Sequence, residues 1–113
     1  MVGKAKSPTK AQQRRFQDLQ ELGCITCRLS GRGYRAPQIH HLVEGYRLGH
    51  DYTIPLCAWC HQGLPDGNLA PSRMEYEIGP SLARNKREFT ARYGTERELL
   101  EKTERLLERR SAA

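Results

Sequence analysis

Two stretches, Cys24-Ile25-Thr26-Cys27 and Cys57-Ala58-Trp59-Cys60-His61, decide how the rest of the chain is read. Between them they hold all four cysteines, as two C-x2-C pairs. Each pair makes a tight knuckle, and two knuckles can close four thiolates around one tetrahedral ion, for which zinc is the natural choice. A closed four-thiolate site has no open coordination position. Cys24, Cys27, Cys57 and Cys60 are therefore expected to hold a structural zinc that supplies folding free energy rather than chemistry. Disulfides are the competing reading. Met1 to Lys10 is polar and basic, without the apolar centre of a secretory signal, so a cytoplasmic location is expected and disulfides are not.

Outward from the knuckles, 29 residues separate Cys27 from Cys57, against about 15–20 in a plain zinc ribbon. The insert carries Ile39-His40-His41-Leu42, and His61 follows the last cysteine directly, so three of the four histidines are tied to the cysteine framework. Residues 38–43 read as a short strand punctuated by Gly31, Gly33, Pro37 and Gly45, and Thr53 to Leu56 as a second. Successive strand residues point to opposite faces, so His40 and His41 are expected to serve different roles. A short helix should start near Trp59 and carry His61, with a loop over 63–67.

Toward the N-terminus, Ser7-Pro8 is expected to open a helix running to Leu22, with Phe16, Leu19 and Leu22 inward and Gly23 closing it. Toward the C-terminus, Ser72 with Glu75 reads as a capping box. Pro80-Ser81 is expected to open a helix to Tyr93, with Leu82, Phe89 and Tyr93 on one face and Arg84 and Arg87 on the other. Thr95 with Glu98 is a second capping box, opening a final helix to about Arg109 whose stripe of Leu99, Leu100, Leu106 and Leu107 is read as core.

The fold class expected is α+β: a small zinc-stapled core flanked by N- and C-terminal helices. With 113 residues the chain reads as one domain: a basic, flexible 1–8, a helix over 9–22, the stapled core over 24–63 and helices over 72–110. Apolar residues make up only 37%, thin for a domain of this size, which is why a metal staple fits. There is no run of about 18 apolar residues for a membrane span and no internal repeat. The net charge is +6, from 19 basic and 13 acidic residues. It is +6 over residues 1–38, −3 over 39–80 and +3 over 81–113. Basic flanks suit a polyanion such as DNA. Arg84, Lys86 and Arg87, and also Arg28, Arg32 and Arg35, are candidates to track a phosphate backbone, against the plain alternative of a solvated charged face. Tyr34, Tyr46 and Tyr52 can stack on bases or simply pack.

Phosphodiester hydrolysis needs a base for the attacking water and a cation for the charge on phosphate and leaving oxygen. Neutral imidazole can act as the base near pH 7, and two imidazoles can hold the cation. The pattern C24-x2-C27, H40-H41, C57-x2-C60-H61 resembles the HNH endonucleases, which have a treble-clef-like ββα-metal fold. That resemblance implies His41 as general base, and His40 and His61 as ligands of a catalytic divalent cation, Mg²⁺, Mn²⁺ or another transition metal. From about residue 11 to about 107 the chain is also similar to the phage recombination-enhancement (Ref-type) nucleases. The similarity lies in Ile39-His-His-Leu, Asp51-Tyr-Thr-Ile-Pro-Leu-Cys, Cys60-His-Gln-Gly, Gly79-Pro-Ser-Leu-Ala, Phe89 and Arg92-Tyr-Gly-Thr-Glu. It implies a phage-encoded DNA nuclease acting in a bacterial host cell, with a RecA-type recombinase filament as a partner.

Two features depart from the family pattern. No Asn occurs between Leu42 and Cys60 to orient the base; Asp51, His50 and Thr53 are the alternatives, Asp51 first. The long basic N-terminal extension that recombinase-linked members can carry is represented here by a few basic residues. The competing function is a zinc-stabilised nucleic-acid-binding module without catalysis, and a third is a zinc-knuckle interaction adaptor. The binding module does not account for histidines at 40, 41 and 61, and the paired basic flanks argue against the adaptor.

Overall fold

The computed structural model describes residues 7–112; the expected flexible segment 1–8 lies largely outside them. The element order is α1 (Lys10–Leu22), α2 (Ile25–Leu29), β1 (Pro37–His41), β2 (Thr53–Cys57), α3 (Ala58–Gln62), α4 (Pro71–Glu77), α5 (Lys86–Tyr93) and α6 (Glu96–Ala112). The result is a small α+β protein with one two-stranded sheet. No helix among the described residues is long and apolar enough to cross a membrane.

The strands pair antiparallel in the register Pro37↔Cys57, Gln38↔Leu56, Ile39↔Pro55, His40↔Ile54 and His41↔Thr53. Every residue of β2 is buried, whereas most of β1 is half-buried. Strand β2 is thus the inner strand and presents β1, with its two histidines, toward the open side. Because β2 ends at Cys57 and α3 starts at Ala58, the second knuckle is the strand-to-helix turn itself, with Cys57 Sγ accepting from Cys60 N. Gly63, in the left-handed conformation, then closes α3. Trp59 is wholly buried and donates its indole N–H to the Gly79 carbonyl, pinning α3 to the segment after α4. Ile25, Leu42, Ile54, Leu56, Met74, Phe89 and Leu99 close the core around it.

Several ends differ from the sequence reading, each for a local reason. Helix α1 is capped by Thr9, not Ser7: Thr9 and Gln12 form a reciprocal capping box. At α4 the N-cap is Ala70 with no side-chain cap, so the Ser72–Glu75 box does not form; Pro71 sets the start instead. The expected helix from Pro80 begins only at Lys86, because Ser81 Oγ caps a separate turn by accepting from Arg84 N, and Asn85 caps α5 by accepting from Glu88 N. The Thr95–Glu98 box does open α6, with contacts of 2.9 and 3.1 Å.

Candidate active site

The cysteines come together as the spacing requires. All four sulfurs lie within 4.8 Å of one another, and all four residues are buried without a disulfide. Cys27 Sγ and Cys60 Sγ are 3.9 Å apart; a tetrahedron with Zn–S bonds of about 2.3 Å has an edge of about 3.8 Å. The cluster could therefore hold a structural ion such as zinc. Arg32 Nη2 donates to Cys27 Sγ at 3.5 Å and to the Tyr93 hydroxyl at 3.1 Å, placing a positive charge beside the thiolates. Arg35 forks onto Asp66 at 3.0 and 2.8 Å. Both arginines are thus turned inward and spent on the knuckle region, rather than arrayed as free phosphate contacts.

On the other side of the ribbon, His40 from β1 meets His61 from α3. His40 Nδ1 lies 3.1 Å from His61 Nε2, with ring centroids 4.8 Å apart. The outer edges of the rings are engaged too. His61 Nδ1 is 2.8 Å from Gln38 Oε1, and His40 Nε2 contacts the carboxylate of Glu96, the first residue of α6. Burial, then the neighbouring His40, pushes the His61 pKa down, with Glu96 opposing. The hydrogen bond to His40 holds the Glu96 carboxyl below its ordinary range. For two nitrogens at about 2.1 Å from one ion, adjacent octahedral positions are separated by about 3.0 Å. The facing pair therefore fits a divalent cation as well as it fits a hydrogen bond.

His41 points to the opposite face of β1, as alternation requires. Its Nε2 lies 2.9 Å from His50 Nδ1, and Phe16 of α1 sets its ring edge against both imidazoles. Burial is the main reason its pKa falls to about 4; Arg47, His50 and His40 add to the effect. His41 is thus neutral through the physiological range.

The three alternatives for the orienting residue separate cleanly. A turn closed by Tyr52 N donating to the Gly49 carbonyl sends His50 and Asp51 in different directions. His50 meets His41, while Asp51 accepts from Gln12 Nε2 of α1 at 3.3 Å. The first choice, Asp51, is therefore not the group brought to the His41 ring. Thr53 supports the arrangement from behind: its hydroxyl donates to the His50 carbonyl at 2.9 Å and accepts from Arg15 Nε at 2.9 Å.

The basic candidates on the C-terminal side also divide. Arg84 donates to the Gly63 carbonyl at 2.7 Å and lies over the Trp59 ring, so it braces the end of α3. Lys86 is mostly exposed, with Nζ 3.9 Å from the second Glu96 oxygen, at the rim of the His40–His61 pair. Arg87 is exposed on α5. Gln38 and Glu96 escaped the sequence reading. Glu96 closes the Arg92-Tyr-Gly-Thr-Glu stretch of the resemblance, but beyond the ordinary signal of an acid in a first helical turn nothing local links it to a histidine 56 positions earlier.

A comparison with known families matches residues 8–108 to the family described as recombination enhancement, RecA-dependent nuclease. The chain belongs to that family. Among curated proteins there is no match. The match spans α1 through most of α6, so both the cysteine cluster and the histidines lie within the shared region.

Proposed function

We propose that this member of the RecA-dependent nuclease family is a metal-dependent endonuclease of the HNH class that hydrolyses DNA phosphodiester bonds. We read it as phage-encoded and acting on DNA engaged by a RecA-type recombinase filament. The observation that carries the reading is the meeting of His40 and His61, 21 positions apart, at 3.1 Å across a strand–strand–helix unit stapled by four cysteines. In this reading residues 24–63 form the ββα-metal core of a single domain. His40 and His61 hold a divalent cation, which when bound neutralises charge on the phosphate and the leaving oxygen. His41, neutral and with Nε2 engaged by His50, offers Nδ1 to take a proton from the attacking water. His50 takes the orienting place that Asn has elsewhere in the HNH class. In this reading Lys86, at the rim of the histidine pair, and the exposed Arg87 contact the phosphate backbone, while Arg84 braces the end of α3.

The test is conversion of supercoiled plasmid to nicked circle, with and without recombinase filaments, across a series of divalent metals. Two imidazoles favour borderline ions over Mg²⁺, so Mn²⁺, Co²⁺ or Ni²⁺ should support cleavage at lower concentration than Mg²⁺. His41→Ala should lower nicking by about 10²–10⁴-fold while zinc content and melting temperature stay unchanged. DNA binding without nicking under any metal, with or without filaments, would leave the non-catalytic binding module as the better reading.

A further inference from the structure

His40 and His61 each show a second contact that faces away from the other ring. His61 Nδ1 meets Gln38 Oε1, and His40 Nε2 meets a Glu96 carboxylate oxygen. Both outer partners are acceptors, so both outer nitrogens must carry the proton. A neutral imidazole has only one proton. With both rings neutral, as cation binding requires, each keeps its lone pair on the inner nitrogen, His40 Nδ1 and His61 Nε2, and these are the two atoms that lie 3.1 Å apart. Facing lone pairs repel unless a cation or a shared proton lies between them.

We propose that Gln38 and Glu96 are positioning residues that fix the tautomers of His61 and His40, so that two lone pairs are preset for one divalent ion. The inference rests on the reading of His40 and His61 as ligands. Glu96 acts through His40 rather than as a ligand itself, since its oxygen lies on the Nε2 edge and the imidazole ring stands between it and the inner nitrogen. An acid in the first turn of α6 would ordinarily serve only the helix dipole. Here Glu98 already fills the local role by capping against Thr95, and the Glu96 side chain is only 23% exposed and turned across to β1. Gln38 shares its strand face with His40, two positions on. The strand thus brings one ligand and the positioning group of the other to the same side.

Imidazole ¹⁵N–¹H correlation spectra of the zinc-loaded full chain read the tautomers directly. His61 should show the Nδ1–H form, the less common one for free histidine, and His40 the Nε2–H form. Gln38→Met should return His61 to the Nε2–H form. Calorimetric titration with Mn²⁺, without DNA, should show Glu96→Ala and Gln38→Met weakening binding by about 10–100-fold, the usual cost of losing such a partner. Glu96→Gln should fall between wild type and Glu96→Ala, with melting temperature and zinc content unchanged in all three. If His40→Ala and His61→Ala abolish Mn²⁺ binding while the Glu96 and Gln38 variants bind as wild type, the positioning role is overturned and the ligand assignment survives. If wild type and His40→Ala bind alike, the ligand assignment fails and the inference with it. A His61 ring in the Nε2–H form in the wild type overturns the inference whatever the titration gives.

Discussion

At the scale of single residues, the two adjacent histidines differ because the strand sets them in different surroundings. His40 faces another imidazole and a carboxylate; His41 faces His50, the Phe16 edge and, through space, Arg47. With its pKa lowered to about 4, His41 stays unprotonated until the solution is quite acidic. In its proposed role as base His41 must be neutral to accept a proton, so the cleavage rate should be flat across neutral pH and fall only as pH drops through about 4, with no inflection at 6.5. A nearby divalent cation pushes the inflection further down. Rate against pH in a metal-saturated assay checks this. His41→Ala should lower the rate by about 10²–10⁴-fold, the usual contribution of a positioned base, at every metal concentration. His50→Ala and Asp51→Ala make the companion test. The first frees the His41 ring and removes one of the neighbours that lower its pKa, so the rate should fall and the inflection rise. The second removes only an exposed contact to Gln12, and both should stay as in wild type. The opposite outcome would return the orienting role to Asp51.

At the scale of elements, the joints matter more than the helices they join. Gly23 ends α1 with φ of 81°, and a Cβ there would lie 2.7 Å from Tyr34 Cδ2 and 3.2 Å from the Arg35 carbonyl. Cys24 N donates to that same carbonyl, so the joint sets where the first knuckle leaves the helix. Gly45, in the loop between the strands, has a similar φ of 78° but nothing within 4 Å of a Cβ. Gly23, with ψ of 179°, lies in a region that essentially only glycine occupies, at a cost of about 1–3 kcal/mol to Ala, and Gly23→Ala adds the clash that Gly45→Ala lacks. Chemical denaturation should therefore show Gly23→Ala clearly less stable than Gly45→Ala. Equal losses would mean that the Tyr34 ring yields freely.

At the scale of the whole molecule, the cysteine cluster gathers residues from two corners of the fold that are far apart in sequence. It joins the α1–α2 corner to the β2–α3 corner, and the core of Trp59, Phe89 and Leu99 closes against it. Structural zinc contributes about 10–16 kcal/mol in small zinc-binding peptides, against a total stability of about 5–15 kcal/mol for ordinary domains. Losing the ion should thus remove most or all of the net stability. Chelation, or Ala at any one of Cys24, Cys27, Cys57 and Cys60, should abolish the cooperative thermal transition followed by far-UV circular dichroism. A four-Ala variant that melts like wild type would show that the cluster is not the staple. In the proposed reading, incubating the folded protein with Mn²⁺ and measuring its metal content should show the catalytic ion exchanging while the cluster zinc stays bound.

What the sequence determined alone was whatever depends on short spacing. The C-x2-C pairs, the alternation at His40-His41, the capping box at Thr95 and Glu98 and the glycine closing α1 are local geometry, written within a few residues. The start of α5 falls at Lys86, capped by Asn85, rather than at Pro80 because several polar residues there can cap and a neighbouring turn takes Ser81, whereas α4 starts at Pro71 with no side-chain cap at all. Tertiary structure alone decided which groups meet across long separations. Glu96 reaches His40 from 56 positions away because the shared core carries the N-terminus of α6 up to β1. His50 rather than Asp51 reaches His41 because a turn divides their directions and α1 offers Gln12 to the acid. Arg32 and Arg35 read as surface charge in the sequence, yet the chain folds them back onto the cysteines and Asp66. A side chain's type limits what it can bond; which partner it finds is set by the packing of distant segments, and no local pattern encodes that.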